Sequence, residues 1–490
     1  MKLSELVGKT DYILLQGSED TEVGFLTSDS RKVKEKTAFV CIVGAVSNGH
    51  DYIAAAVENK ASVIVVQEGE HFDKIPENVT VISTANTRLA LALMSAAYFG
   101  NPAKKLFTIG ITGTKGKTTT TYMIRNVLEA CGIKTGLIGT IETIIGDKTK
   151  ASCNTTPESY EIHESFAKME AAGCKAVVME VSSQGLKLDR TAGIMFDIGV
   201  FTNLEPDHIG PNEHESFEEY RACKAKLFRQ CRVGIVNADD EHTKEVIKDA
   251  TCTLETYGLS ENADIRAIDV NLKHERGSIG LNYKCVGKLN MDVELNLPGK
   301  FSVYNSLCAI AVTNHFNVDK AVLQKTLSEV KVKGRIELVK VSDRFTLMID
   351  YAHNAMSLES ILTTLKEYRP HRLVCVFGCG GNRSKDRRFE MGEVSGKLAD
   401  LTIITSDNPR FEEPEAIIGD IRTGIERTGG KYICITDRKE AIKYAIGHGE
   451  PGDIIVLAGK GHEDYQEIKG VKYPMDERVL IAEVLEELKK

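Results

Sequence analysis

Gly110-Ile111-Thr112-Gly113-Thr114-Lys115-Gly116-Lys117-Thr118-Thr119-Thr120 decides how this chain must fold. It follows the β-branched run Phe107–Ile111 and leads into Met123, Ile124, Val127, Leu128 and Cys131, apolar residues that share one helical face. A glycine-rich turn between strand and helix is the setting of a phosphate loop. Glycines let the backbone wrap an anion, the N–H groups at the helix start point toward it, Lys117 supplies charge, and Thr118 offers a hydroxyl to Mg²⁺. The spacing departs from Gly-x₄-Gly-Lys-Thr, because Ile111 stands five residues before Gly116, with Gly110 and Gly113 on either side of that slot.

Strand-like runs recur beyond the loop at Lys175–Val181, Ile198–Thr202 and Val233–Val236, with helical periodicity between them. Such alternation predicts a mostly parallel sheet covered by helices. The pattern restarts at Phe345–Ile349, followed by Leu358, Ile361, Leu362 and Leu365 at helical spacing. Further runs at Leu373–Phe377, Leu401–Thr405, Tyr432–Ile435 and Ile454–Leu457 precede a closing helix through Leu480, Val484, Leu485 and Leu488. A second α/β domain therefore fills the C-terminal third, with Arg335–Val339 as the expected hinge. Residues 1–104 form a smaller α/β unit without a nucleotide loop.

The length of 490 residues suggests roughly three domains. A hydrophobic share of 42% and a charged share of 27% place the chain among globular proteins rather than disordered ones. Its net charge of −8 gives no global attraction for nucleic acid. The start, Met1-Lys2-Leu3-Ser4-Glu5-Leu6, has no signal-type apolar stretch, and no apolar run approaches a membrane span. Twelve scattered cysteines, some within apolar runs (Cys375, Cys434), fit a reducing compartment better than a disulfide scaffold. A cytoplasmic protein is expected.

The loop variant Thr-Gly-Thr-x-Gly-Lys-Thr-Thr resembles that of the Mur ligase family, and the resemblance extends over nearly the whole chain. Asn154-Thr155-Thr156-Pro157, Met179–Leu186, Phe201-Thr202-Asn203-Leu204 and Asp350-Tyr351-Ala352-His353 match in order. So do Phe377–Arg383, Asp407-Asn408-Pro409-Arg410 and Ala458–Glu463. The resemblance implies an α/β protein of three domains: 1–104 for the uridine nucleotide, a central ATPase-type parallel-sheet domain over 105–334, and a Rossmann-like domain over 335–490 for an amino acid. It implies an ATP-dependent ligase of peptidoglycan precursor synthesis. ATP would activate the D-Glu carboxylate of UDP-MurNAc-L-Ala-D-Glu as an acyl phosphate, which the amine of meso-2,6-diaminopimelate attacks. A monomer is the expected state.

The same resemblance assigns ATP to Gly113, Thr114, Lys115, Gly116, Lys117, Thr118 and Thr119, with Asn305, Arg335 and Asp350. Magnesium would be held by Thr118, Glu180, His208 and Lys224, the lysine carrying CO₂ as a carbamate. Lys117, Lys224, Glu180, His208 and Arg335 are the implied catalytic group. Glu180 ends a buried-type strand, and its hard oxygens suit Mg²⁺. The uridine-linked substrate falls to Ser28, Thr155, Thr156, Ser182 and Arg190, although Ser and Thr in loops commonly serve as turn formers and caps.

Arg383, Asp407, Asn408, Pro409, Arg410, Gly459 and Glu463 would form the amino-acid pocket. A guanidinium matches a distal carboxylate bidentately and repels the ammonium of lysine, which favours meso-diaminopimelate at Arg410. The same reaction with L-lysine or another diamino acid, or a folylpolyglutamate-synthase-like ligase, stays open as an alternative. Gln184, Asn354, Ala355 and the segment Ile209–His214 depart from the family pattern.

Overall fold

The computed structural model describes residues 1–44, 47–207, 209–210, 213–275 and 277–489. By internal contacts the chain forms two compact units, Met1–Arg266 with Leu307–Asp319, and Ala267–Ser306 with Lys320–Lys490.

The first unit contains two sheets. Near the N-terminus, Phe25–Thr27, Thr37–Val40, Ala61–Gln67 and Thr80–Thr84 run parallel, and Ile13–Gln16 adds antiparallel at the edge. Downstream, Phe107–Thr112 lies between Ala176–Glu180 and Phe196–Phe201, parallel to both. Cys231–Asn237 and Thr253–Gly258 extend the sheet on one side and Thr135–Ile138 on the other, all parallel. Phe107–Thr112 is where the chain changes direction across the sheet, the place where open α/β sheets bind ligands beyond their strand ends. Register sets Glu180 beside Ile111 and Phe201 beside Thr112, so three strand ends open at one level.

The second unit carries an antiparallel pair, Ser278–Gly287 with Met291–Leu295. Its main sheet runs in the order Glu337–Val339, Thr346–Asp350, Ile454–Ala458, Leu373–Phe377, Leu401–Ile404, Tyr432–Cys434. Only the first pairing is antiparallel. Met348 packs into one core while its neighbours Leu347 and Ile349 pack into the opposite one. The strands therefore read as unbroken apolar runs because helices cover both faces.

Three expectations need correction. Glu337–Val339 is no free hinge, since it pairs with Leu347–Ile349 as an edge strand. Cys434 is exposed, although it falls in an apolar run; it ends the outermost strand. Leu488 is also exposed, because the closing helix ends at Glu487. All twelve cysteines are free thiols, and no described helix is long and apolar enough to cross a membrane.

Arg388 joins the helices Lys385–Leu398 and Pro414–Glu426 from a buried position. It donates to Glu412 at 2.7 and 2.8 Å and to Asp420 at 3.0 Å. Arg388→Ala leaves these carboxylates without their cation and is expected to cost about 3–5 kcal/mol, read as a lower urea midpoint. The Arg388 hydrogen bonds, with help from the Asn382 N–H, hold the Glu412 carboxyl down from 4.5 to about 2. The stabilisation from this pair is thus complete above pH 4.5 and fades as pH falls toward 2.

Candidate active site

Around the phosphate loop, backbone geometry and side chains are mutually fixed. Gly113 has φ +148°, and a Cβ there would lie 1.9 Å from Thr202 Oγ1, so only glycine fits between the loop and the strand end. Asn203 receives the N–H groups of Thr114 through its carbonyl at 2.9 Å and of Lys115 through Oδ1 at 2.8 Å. Gly116, at φ +84°, turns the chain into the helix Lys117–Ala130. Lys117 Nζ donates to the Gly113 and Thr114 carbonyls at 2.8 and 3.0 Å. This brings Gly113, Thr114, Lys115, Gly116, Lys117, Thr118 and Thr119 into one strand–turn–helix, as their spacing predicts.

Glu180 is buried at the end of its strand. Its Oε2 accepts Thr118 Oγ1 and Thr140 Oγ1, each at 3.0 Å, and its Oε1 accepts the Thr140 N–H at 2.8 Å. The 3.0 Å between Thr118 Oγ1 and Glu180 Oε2 is about one edge of an octahedron with Mg–O bonds of ~2.05 Å. The hard oxygens of Thr118 and Glu180 fit Mg²⁺. His208 lies outside the described residues, as do Pro211 and Asn212 in the segment that departs from the family pattern.

Lys224 comes from the helix Phe217–Ala225 and is 1% exposed. Its Nζ donates to the Gly113 carbonyl at 2.9 Å and stands 4.3 Å above the Tyr220 ring. Burial, reinforced by the Lys117 charge, pushes this amine well below the ordinary lysine range. The Tyr220 hydroxyl in turn lies 3.0 Å from Thr114 Oγ1.

Thr155, Thr156, Ser182 and Arg190 cluster next to Glu180. Thr155 Oγ1 is 3.0 Å from Thr140 Oγ1, and Thr156 Oγ1 donates to the Glu180 carbonyl at 2.9 Å. Arg190 Nη1 donates to the Thr156 carbonyl at 2.9 Å and Nη2 pairs with Glu158 at 2.7 Å, while Nε is buried without a partner. Ser182 Oγ accepts the Gly185 N–H and so caps a short helix, which is the bland role for such a serine. Ser28 is exposed just after the strand Phe25–Thr27.

In the second unit, Asp350 ends its strand with both oxygens on backbone N–H groups, Ile336 at 2.9 Å and Ala352 at 2.9 Å. Burial raises its pKa, against the pull of Arg335. The Arg335 guanidinium lies 4.8 Å over the Tyr351 ring, and its buried Nε has no partner. An unsatisfied guanidinium N–H beside a strand end is a donor suited to an anion. Asn305 is buried in the helix Lys300–Asn314.

A cavity of 410 Å³ at the carboxyl ends of the second unit's parallel strands gathers Arg383, Asp407, Asn408, Arg410, Gly459 and Glu463. Pro409 is buried behind it. Its carbonyl packs so tightly on Gly381 that a Cβ there would lie 1.9 Å away. Arg410 has φ +51°; its Nε pairs with Glu467 at 3.0 Å and its Nη1 donates to the Gly381 carbonyl at 2.8 Å. Fully buried Lys460 donates to Asn408 Oδ1 at 2.9 Å and to Glu463 at 2.8 Å. Burial works to raise the Glu463 pKa, yet the Lys460 charge and the hydrogen bonds from Lys460 and Asn408 keep it below the ordinary range. With Arg387 also lining the cavity, its walls carry both signs of charge, as a zwitterionic guest requires.

A larger cavity of 860 Å³ lies against Asp269, Lys284, Glu294 and Lys325. Three of these charges already pair, Lys284 with Asp269 at 2.9 Å and Glu294 with Lys273 at 2.6 Å, and none of the motif residues lines it.

Residue spacing had not pointed to Thr140, Tyr220, Lys460 or Glu467. Each also contacts a residue distant in sequence, Thr140 with Glu180, Tyr220 with Thr114, Lys460 with Asn408 and Glu467 with Arg410. Of the four, Lys460 lies within the matching segment Ala458–Glu463.

Three family models match: Mur ligase family, catalytic domain, over residues 22–99; Mur ligase middle domain over 111–313; and Mur ligase, glutamate ligase domain, over 334–461. A UDP-N-acetylmuramoyl-L-alanyl-D-glutamate--2,6-diaminopimelate ligase of Clostridium perfringens is 41% identical over 99% of this chain and 100% of its own. Another, from Clostridium acetobutylicum, is 43% identical over 100% of both. A solved structure titled for that same ligase superposes with a TM-score of 0.73 at 28% identity, covering 100% of this chain and 99% of the other. MurF from Acinetobacter baumannii shares the fold at a TM-score of 0.64 and 19% identity, covering 99% of this chain and 98% of that one.

Proposed function

Because the chain belongs to the Mur ligase family, we infer that it joins meso-2,6-diaminopimelate to the D-Glu carboxylate of UDP-MurNAc-L-Ala-D-Glu at the expense of ATP. This reaction extends a peptidoglycan precursor. The observation that carries it is the presence of two strand-end sites, one in each unit: a phosphate loop with a buried carboxylate, and a cavity of mixed charge containing Arg410.

A carboxylate is a poor acyl donor, and the chemistry answers this by phosphorylating it first. The loop N–H groups and Lys117 hold the triphosphate, and Thr118 and Glu180 would hold Mg²⁺ together with His208. When bound, that ion neutralises charge on the phosphoryl oxygens. Arg335, with its unsatisfied N–H, Asn305 and Asp350 are proposed as further ATP residues. The carboxylate oxygen attacks the γ-phosphorus, ADP leaves, and the diaminopimelate amine then attacks the acyl carbon and expels phosphate.

Lys224 is proposed to act as a carbamate. Its burial beside Lys117 favours the neutral amine, the form that attacks CO₂ and releases a proton to give an anion. That anion could help to hold Mg²⁺, which an ammonium would repel.

Thr155, Thr156, Ser182 and Arg190, with Ser28, are proposed for the uridine-linked substrate. The unpartnered Arg190 Nε supports an anionic guest. Residues 1–104, 105–334 and 335–490 are proposed as the uridine, ATP and amino-acid domains of a cytoplasmic monomer.

The test incubates the protein with ATP, Mg²⁺ and the dipeptide substrate labelled with ¹⁸O in the D-Glu side-chain carboxyl, adding either meso-diaminopimelate or L-lysine. Label is expected in the released phosphate, and tripeptide product with meso-diaminopimelate only. Product with lysine alone would overturn the specificity, and unlabelled phosphate would overturn the acyl phosphate.

A further inference from the structure

We propose that His214, Glu219 and Cys223 form a binding site for Zn²⁺ beside Lys224, separate in its chemistry from the proposed magnesium site, which contains no thiol. One ligand atom from each residue lies within 4.8 Å of the others. Glu219 and Cys223 stand four residues apart on the helix Phe217–Ala225 and so share a face, while His214 is delivered by the segment just before it. His214 and Cys223 are buried, at 1% and 5% exposure.

The geometry suits a tetrahedral ion. His214 Nδ1 is 3.6 Å from Glu219 Oε2, against a ligand–ligand edge of about 3.3 Å for bonds of ~2.05 Å. His214 Nε2 lies 2.9 Å from Ser183 Oγ. Donation of the Nε2 proton to that hydroxyl fixes the ring and turns the Nδ1 lone pair toward the cluster, the usual outer-shell support for a metal-bound histidine. Glu219 Oε2 also accepts the Glu215 N–H at 2.8 Å, which orients the carboxylate.

Imidazole, carboxylate and thiolate select a borderline-soft ion over Mg²⁺. Three protein ligands leave a fourth position for water. Cys223 binds as the thiolate, its proton passing to the buffer. Lys187 Nζ bridges both oxygens of Glu219, 2.8 Å from Oε1 and 3.1 Å from Oε2, and is the resident cation, so an ion binding at Oε2 must displace that ammonium from it. Occupancy would be sensed at the phosphate loop. The Tyr220 ring, with its centre 5.2 Å from that of His214, carries the hydroxyl that meets Thr114 and the face that meets Lys224.

The test titrates Co²⁺ into the full-length protein in excess Mg²⁺, which fills the proposed magnesium site. A thiolate-to-cobalt charge-transfer band saturating at one equivalent, and abolished by Zn²⁺, is expected. Cys223→Ala should remove the band and weaken Zn²⁺ binding at least tenfold; it places a good helix former in a helix and keeps the other eleven cysteines as controls. His214→Gln should weaken binding about 10–100-fold. A band of undiminished size in Cys223→Ala, or no band in the parent protein, would overturn the proposal.

Discussion

Lys224→Arg is expected to lower kcat about 10³-fold, roughly 4 kcal/mol, while the protein still folds and binds ATP. The parent lysine is buried with its Nζ on the Gly113 carbonyl, and nothing about a permanently charged guanidinium can become an anion there. Arginine keeps a hydrogen-bond donor at this position and cannot react with CO₂. If Lys224 served merely to hold the loop as a cation, arginine would keep much of the activity. Lys224→Ala should be equally slow but recover in part when a short carboxylate such as formate or acetate is added, because the missing anion is then supplied from solution. Retention of more than a tenth of parental kcat by Lys224→Arg would dismiss the carbamate. Labelled bicarbonate gives an independent reading, as a ¹³C carbamate resonance present in the parent and missing from both variants.

Arg410→Ala is expected to raise KM for meso-diaminopimelate about 100- to 1,000-fold, or about 3–4 kcal/mol, with the KM for ATP changed less than twofold. Truncation leaves the substrate's distal carboxylate in the 410 Å³ cavity without its charge-assisted partner. Arg410→Lys should recover only part of the loss. An ammonium keeps the charge but has no fork, and it cannot bridge Glu467 and the Gly381 carbonyl while also meeting a ligand. Parallel loss for ATP and the amino acid would assign Arg410 to fold maintenance instead.

Much of this architecture was legible because its signals are local. The phosphate loop, the strand Leu373–Phe377 and the helix over Leu358–Leu365 each announce themselves within a dozen residues. Strand ends were read less well: Lys175 and Val181 fall outside Ala176–Glu180, whereas Phe196 and Asp197 belong to Phe196–Phe201. Hydrophobicity marks what is buried, and pairing with neighbours decides where a strand stops. Glu337–Val339 failed as a hinge for that reason, since its partner Leu347–Ile349 stands across a turn that composition does not reveal.

The site followed the same division. The loop around Lys117 and Thr118 could be read for phosphate from its own residues, whereas the roles expected of Glu180, Asp407 and Arg410 came from the resemblance to the Mur ligase family. Tertiary packing alone decided the environment that tunes them. It buried Lys224 against Tyr220 and Lys117, set Thr140 on both oxygens of Glu180, and placed Lys460 between Asn408 and Glu463. Residue type is written in the chain, but desolvation and charge proximity depend on which distant segments the fold brings within about 3 Å.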